Sequence, residues 1–362
     1  MKVLHINPSM PGGGIESMIC GLANEMAKTQ DVTVCSIFEP KSTDVFCWKL
    51  NSKVSKVSLG KVNKGFSLKE ILMVYKFIKQ HGFDIVYLHG FIQYYILAVV
   101  LLHKKVQFCY TLHTDAKMEN TGWSGRLYKF KKFCFVHKWI KPITISYASQ
   151  KSFYDLYKCE SNLIFNGIPR PILEDKKEET IQRYRYTSQT KVFLHPGRIT
   201  LAKNQVVLCE VFKQLIDDGE DVVLLIAGPK DDDLIYGDLE KYWSDRIVYL
   251  GQRDDVPMLL KDVDAMCLPS IWEGLPVTLL EALSVGCIPI CAPVGGIVDV
   301  VQDGKNGLLS LSSDAFSFYE SMKKFLSMND AERIEMKNNS QKSFDKFDVK
   351  LCASQYISLY KD

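Results

Sequence analysis

The chain has 362 residues, 47% of them hydrophobic and 24% charged, which excludes a disordered polymer and exceeds what one ordinary core accommodates, so two domains are expected. Its net charge of +3 conceals an asymmetry: residues 1–170 carry 23 basic and 11 acidic side chains (+12), residues 171–362 carry 22 and 31 (−9). The longest apolar run, residues 94–102, is far short of the roughly 20 residues that span a bilayer; the opening MKVLHINPS reads as a strand and turn rather than a secretory signal; and eleven cysteines without a C-x-x-C pair point to buried thiols rather than zinc or disulfides.

Residues 3–6 predict a short buried strand and residues 8–14 a turn-rich loop. The spacing of Ile15, Met18, Ile19, Leu22 and Met26 predicts a helix over 15–27. A strand feeding a glycine loop that opens a helix is the first unit of a doubly wound α/β sheet. Gly12-Gly13-Gly14 does not match G-x-G-x-x-G, so no dinucleotide is indicated; the three glycines provide either close backbone approach by a ligand or a tight turn. Strands at 32–37, 54–59, 85–88 and 107–112 alternate with helices at 68–80 and 91–102, the pattern of a parallel sheet covered on both faces. His89-Gly90 and His113-Thr114-Asp115 each follow a strand at its carboxyl end, where ligands of such sheets bind, so both histidines are candidates and His113 the stronger.

The stretch WSGRLYKFKKFCFVHKWIK at 123–141 interleaves lysines and an arginine with Trp123, Leu127, Phe130, Phe133, Phe135, Trp139 and Ile140. As one helix it fits either an element lying at a membrane interface or a core-facing helix with a solvated basic edge; Lys53, Lys56, Lys61 and Lys64 add to the same half's charge. No nucleic-acid-binding module accompanies that charge. A strand at 143–145, a helix at 146–154 and a strand at 162–165 close the first half. The polar, charged stretch 170–189, headed by Pro169 and Pro171, marks a linker.

The alternation then restarts. A strand at 191–195 runs into Pro196-Gly197-Arg198, a helix at 204–216 follows, and a strand at 222–227 ends in Gly228-Pro229. After a strand at 247–250, a helix at 256–260 and a strand at 265–268 comes LPSIWEGLPVTLLEALSVGCIPICAP, residues 268–293. It reads as an acid-and-glycine loop at Glu273-Gly274, a helix opening near Pro276 and ending at Gly286, and a strand at 287–291. The free N–H groups of that helix end suit an anion, phosphate above all. Arg198 and Lys203, at a strand's carboxyl end, form with it a candidate diphosphate clamp. Glu273 and Glu281 suit hydroxyls at the two ends of a nucleotide sugar, and Asp231-Asp232-Asp233 reads as a solvated loop rather than a magnesium site. Helices near 314–326, 331–344 and 349–359 finish the chain, and the default site for two such domains is the cleft between them.

Together these motifs resemble the retaining nucleotide-sugar glycosyltransferases of family four (glycosyl transferases group 1), which have the GT-B fold. The resemblance runs through essentially the whole chain, in PGGGIE at 11–16, HPGRITLAKNQ at 195–205, AGP at 227–229, LGQRDDVPMLLKDVDAMCLPS at 250–270 and EGLPVTLLEALSVGCIPICAPVGGIVDVVQDGKNGLL at 273–309. It implies an α/β protein of two Rossmann-like doubly wound domains facing across a cleft: residues 1–169 for the acceptor, a linker at 170–189, residues 190–345 for the nucleotide sugar, and a C-terminal helix in 346–362 packing back toward the first domain. By the same resemblance Glu273 contacts the donor sugar, Glu281 the ribose, and Arg198 and Lys203 the diphosphate. Gly274, Leu275 and Thr278 belong to the loop that cradles phosphate, and Gly228 and Arg253 lie in the matching donor-binding motifs. Gly13 and Gly14 match a loop that closes over the donor and orients the acceptor, and His113, with Glu273, is assigned to the catalytic residues beside the reacting sugar. Asn166-Gly167-Ile168 departs from the family's N-G-[IV]-D signature, because Pro169 stands where aspartate is usual, so that turn receives no catalytic task.

The resemblance therefore implies transfer of a hexose or N-acetylhexosamine from a nucleoside-diphosphate sugar, with uridine the family's habitual base, to a glycan or polyprenyl-linked acceptor in surface polysaccharide synthesis. No metal, no cofactor and no nucleic acid are expected. The expected location is cytoplasmic, peripheral at the inner face of the cell membrane through the basic first domain. The rival readings are a sugar-nucleotide epimerase on the same architecture and a non-catalytic glycan-binding partner subunit.

Overall fold

The computed structural model describes residues 1–42, 44–62, 68–90, 92–121, 125–173 and 179–360; Lys64, Phe91, Trp123 and residues 174–178 of the expected linker lie outside the described residues. Two compact units form, one from Met1–Pro169 with Phe347–Asp362 and the other from Arg170–Lys346.

In the first unit, β1 (Lys2–Asn7), β2 (Asp31–Phe38), β3 (Ser55–Lys61), β4 (Ile85–His89), β5 (Gln107–Leu112), β6 (Ile140–Thr144) and β7 (Asn162–Leu163) make a seven-stranded sheet ordered β3-β2-β1-β4-β5-β6-β7. Every pairing is parallel. Parallel neighbours need crossovers, which helices such as Gly14–Met26 and Leu68–His81 supply. With both faces covered, the central strands read as unbroken apolar runs, and Ile85, Val86, Tyr87 and Leu88 of β4 are fully buried.

The helix Val349–Ser358 completes this unit although it comes from the far end of the chain. Its Tyr356 ring lies 5.1 Å from that of Tyr87, centroid to centroid, and its hydroxyl is 3.2 Å from Thr111 Oγ1. The Tyr87 hydroxyl donates to the Tyr356 carbonyl. Gly167 admits this return: a Cβ there would stand 2.5 Å from Cys352 Cβ. The turn that departs from the family signature thus serves as a seat for the final helix.

The second unit repeats the plan with β8 (Lys191–Pro196), β9 (Val222–Ala227), β10 (Ile247–Gly251), β11 (Ala265–Leu268), β12 (Ile288–Cys291) and β13 (Leu308–Leu309) in the order β10-β9-β8-β11-β12-β13, again all parallel. Phe193 of β8 meets Phe212 and Phe325 edge-on at 5.3 and 5.4 Å, joining helices Gln205–Asp217 and Ala315–Ser327 in the core. The downstream part of the expected linker is not free chain. Ile181 and Tyr184 are buried, and Arg185 Nη1 lies 2.7 Å from Asp264.

Three local expectations are corrected. The basic aromatic stretch is not one helix to residue 141: the helix is Tyr128–Val136, Lys138 turns left-handed at φ 58, and β6 opens at Ile140. Lys131, expected on a solvated edge, is 1% exposed. Asp231-Asp232-Asp233 is not a loose solvated loop either, because Asp232 caps the helix Asp233–Glu240 by accepting from the Leu234 and Ile235 amides, and Asp231 pairs with Arg198. All eleven cysteines are free thiols, nine of them buried. No helix among the described residues is long and apolar enough to cross a membrane.

If the last helix is part of the first unit's core, Tyr356→Ala should cost about 3–5 kcal/mol, as removal of a buried aromatic ring does. Tyr356→Phe, which keeps the ring and loses one hydrogen bond, should cost about 1 kcal/mol. Urea unfolding of both variants checks this; an unchanged midpoint for Tyr356→Ala would show that the helix contributes nothing to the unit.

Candidate active site

In both units the strand order reverses beside the first strand, between β1 and β4 and between β8 and β11. Loops leaving the carboxyl ends on either side of such a reversal diverge and leave a crevice. In the second unit this brings the loop after β8 and the loop after β11 together. Lys203 Nζ lies 2.6 Å from Glu273 Oε1, and the Ser270 hydroxyl donates to the same oxygen at 2.7 Å. Among the described residues Glu273 Oε2 carries no hydrogen bond, so one carboxylate oxygen is anchored and the other is available.

The chain around this pair is built to hold it. Asn204, left-handed at φ 58, donates through its side chain to Pro269 O at 3.1 Å and Ser313 O at 2.8 Å, and Ile271 N donates to Ala202 O at 2.8 Å. Gln205, fully buried, donates to Arg198 O at 2.8 Å and sets the bend before Lys203. Gly295, at φ 53, allows the loop after β12 to press on the glutamate loop, since a Cβ there would lie 1.9 Å from Glu273 O. The next amide, Gly296 N, donates to Gly274 O at 2.6 Å. Gly228 does the same between β9 and β8, where a Cβ would lie 1.9 Å from Gly197 O.

Beyond the glutamate loop, Leu275 is buried and the helix Val277–Val285 starts, with Pro276 as its N-cap rather than inside its first turn. Its first amide bonds run from Leu279 and Leu280 to Pro276 O, so the amides before them point out of the helix end. Thr278 Oγ1 in that first turn is closed to solvent and has no hydrogen-bond partner among the described residues. Glu281 sits one turn further in and is half-buried. The helix stops at Gly286, left-handed at φ 75, as the sequence implied.

The two candidate arginines are engaged with acids. Arg198 Nη1 is 3.0 Å from Asp231, both side chains substantially exposed, whereas Arg253 holds Asp255 through two bonds of 2.8 and 2.5 Å. An exposed pair of the first kind contributes about 0–1 kcal/mol, so Arg198 can exchange Asp231 for a better anion at little cost. Arg253 is the less free of the two.

Gly13, Gly14 and His113 belong to the first unit. None of Gly12, Gly13 and Gly14 adopts a positive φ, and Gly13 is the extended N-cap of the helix Gly14–Met26. Their small size, rather than a left-handed turn, is what that loop uses. His113 follows β5 and does not face open space through both nitrogens: its Nε2 is 2.9 Å from Nδ1 of the fully buried His89. Burial pushes its pKa down to about 4.

Several residues that shape the site were not singled out from the sequence. Ser270, Asn204 and Gln205 lie inside the quoted motifs, but nothing in their spacing says which carbonyl or carboxylate they reach. His195, at the end of β8, donates from Nδ1 to Cys267 O at 2.8 Å and leaves Nε2 without a partner among the described residues.

Comparison with known proteins identifies the family and the fold. Residues 12–169 match the family model described as Glycosyltransferase Family 4, and residues 176–343 the model described as Glycosyl transferases group 1. The chain is 26% identical to the UDP-Gal:alpha-D-GlcNAc-diphosphoundecaprenol alpha-1,3-galactosyltransferase of Escherichia coli, over 82% of this chain and 79% of that protein. It is 22% identical to the GalNAc-alpha-(1->4)-GalNAc-alpha-(1->3)-diNAcBac-PP-undecaprenol alpha-1,4-N-acetyl-D-galactosaminyltransferase of Campylobacter jejuni, over 99% and 98% of the two chains. Among solved structures, Anabaena HepE in complex with UDP-glucose superposes with a TM-score of 0.82 at 18% identity over 100% of both chains. WaaG, a glycosyltransferase involved in lipopolysaccharide biosynthesis, does so at 0.75 and 16% identity over 99% of both. At these identities the structures speak for the fold alone.

The close approach at Gly295 is testable against a glycine that lacks one. Gly304 is also left-handed, at φ 71, but a Cβ there would meet nothing within 4 Å. Gly295→Ala should therefore lose about 1–3 kcal/mol more than Gly304→Ala. Equal losses in thermal unfolding would show that contact with the Glu273 loop is not what Gly295 serves.

Proposed function

The chain belongs to the group 1 glycosyltransferases and has their GT-B fold, and from this premise we propose that it transfers a hexose or N-acetylhexosamine from a nucleoside-diphosphate sugar, with UDP as the nucleotide, to a polyprenyl-linked or other glycan acceptor in surface polysaccharide synthesis, with retention at the anomeric carbon. The observation that carries this reading is the Lys203–Glu273 pair, 2.6 Å apart, which joins the loop after β8 to the loop that opens the Val277–Val285 helix. It sets a cation for a diphosphate beside an acceptor for sugar hydroxyls. The acceptor class is supported by the diphosphoundecaprenol-linked substrates in the names of the two relatives.

In this reading the diphosphate lies against the amides and Thr278 hydroxyl at the helix end, where the fixed dipole favours an anion. Lys203 and Arg198 turn from their carboxylates to its oxygens. Glu281 takes the ribose hydroxyls, and Glu273, steadied by Ser270 through Oε1, takes a donor-sugar hydroxyl through Oε2. Transfer proceeds on one face of the sugar: the bond from the anomeric carbon to the diphosphate oxygen breaks as the acceptor hydroxyl oxygen bonds to that carbon. The hydroxyl proton passes to the departing phosphate. Protein cations and the helix end stabilise the charge that builds on the leaving group, so the reaction runs without a metal ion.

The first unit offers a surface for the lipid-linked side of the reaction. Val100 and Leu101, at the end of helix Ile96–Leu102, and Phe133 and Val136 of helix Tyr128–Val136 are 38–53% exposed. The two helices meet through His103 stacked on Trp139 at 3.9 Å and Trp139 edge-on to Phe133 at 5.0 Å. Lys104, Lys105, Lys129 and Lys138 are exposed around them. Apolar side chains ringed by lysines fit the interface of an anionic membrane, which supports a peripheral location at the inner face of the cell membrane in this reading.

Assayed in EDTA with a verified donor and acceptor, the wild type should turn over, while Glu273→Gln should fall by roughly 10²-fold or more in kcat with its native fold retained by circular dichroism. Full turnover by the variant would sink the assignment of Glu273, and a wild type silenced by EDTA would remove the metal-free mechanism. For the membrane surface, the protein should co-sediment with anionic vesicles at low salt and be released at high salt; no co-sedimentation even at low salt ends that reading.

A further inference from the structure

Three histidines stand in a row across three adjacent strands of the first unit. His5 of β1 and His89 of β4 are 0% exposed, and His113 follows β5. His5 Nδ1 is 3.3 Å from His89 Nε2, and His89 Nδ1 is 2.9 Å from His113 Nε2. The inner end of the row is closed by a sulfur: His5 Nε2 lies 3.4 Å from Sδ of Met26, the last residue of the Gly14–Met26 helix. The outer end, His113 Nδ1, is closed to solvent and has no partner among the described residues. Tyr87 stacks on His5 at 4.8 Å and fixes its ring plane.

Burial holds all three rings neutral, lowering His5 to about 3 and His113 to about 4, with His89 lowered as well. A neutral imidazole has one N–H donor and one bare nitrogen acceptor. For both contacts between rings to be hydrogen bonds, the three N–H groups must all point the same way along the row, so only two orders exist. Pointing outward would leave His113 Nδ1–H as a buried donor with no acceptor and would set the bare His5 Nε2 against a sulfur that offers only lone pairs. Pointing inward satisfies all three donors, the last of them on the Met26 thioether, a weak acceptor. Orphaned buried N–H groups are rarer than under-used acceptors, so the inward order is the stable one.

We propose that His89, His5 and the Met26 sulfur fix the tautomer of His113, keeping its proton on Nε2 and its Nδ1 as a bare acceptor at the strand end. His5, His89 and Met26 are positioning residues: none touches the substrate, and each acts through the next ring. A wrong tautomer would turn an acceptor into a donor, which a group that itself donates does not tolerate.

The test is the imidazole nitrogen spectrum of the full chain, labelled at histidine. All three residues should be protonated at Nε2 and bare at Nδ1, and a protonated Nδ1 on His113 overturns the proposal. Met26→Leu keeps nearly the same volume and removes the terminal acceptor. It should let a His113 Nδ1–H population appear in the spectrum. A Met26→Leu protein whose His113 stays wholly protonated at Nε2 shows that the sulfur does not set the order. Should Met26→Leu not fold, the wild-type spectrum still decides.

Discussion

Parallel strands can be joined only by crossovers, and a sheet wound in both directions from its first strand must reverse once. That constraint governs this protein twice, at β1 and β4 and again at β8 and β11. At each reversal the loops at the carboxyl ends part company, so the crevice needs no dedicated element. The side chains that count in each unit lie there: Lys203, Ser270 and Glu273 in the second, His89 and His113 in the first.

What the crevice does with charge follows from how little room its loops leave. Glycines at 228 and 295 let backbones approach where a Cβ would collide, and polar side chains such as Asn204 and Gln205 tie the loops to each other through carbonyls. A lysine and a glutamate held this way are ordered before any ligand arrives, so little conformational entropy is lost on binding.

The first unit solves a different problem, that of burying polar rings without leaving donors unpaired. The row His5, His89 and His113 passes one proton per ring toward Met26 and leaves its only unpaired lone pair at the strand end. The helix that carries Tyr356 covers a neighbouring part of the same sheet, with hydroxyl contacts to Thr111 and Tyr87. Distant stretches of chain therefore set the surroundings of the strand-end histidine.

The alternation of apolar runs with 3.6-periodic segments determined the two parallel sheets, because both signals are local: a strand buried on two faces must be apolar throughout, and a covering helix must show one apolar stripe. The glycine at 286, the proline at 276 and the glutamates eight apart were legible for the same reason, each being tied to the end or face of one element. The basic aromatic stretch misled because composition does not report a left-handed residue such as Lys138, nor that Lys131 points inward. Only the tertiary structure decided which acid each cation meets, that Lys203 takes Glu273 while Arg198 takes Asp231, and that three histidines far apart in sequence share one line of hydrogen bonds. Those choices depend on which loops the strand order brings side by side, and strand order is set by packing between elements rather than by the residues of any one of them.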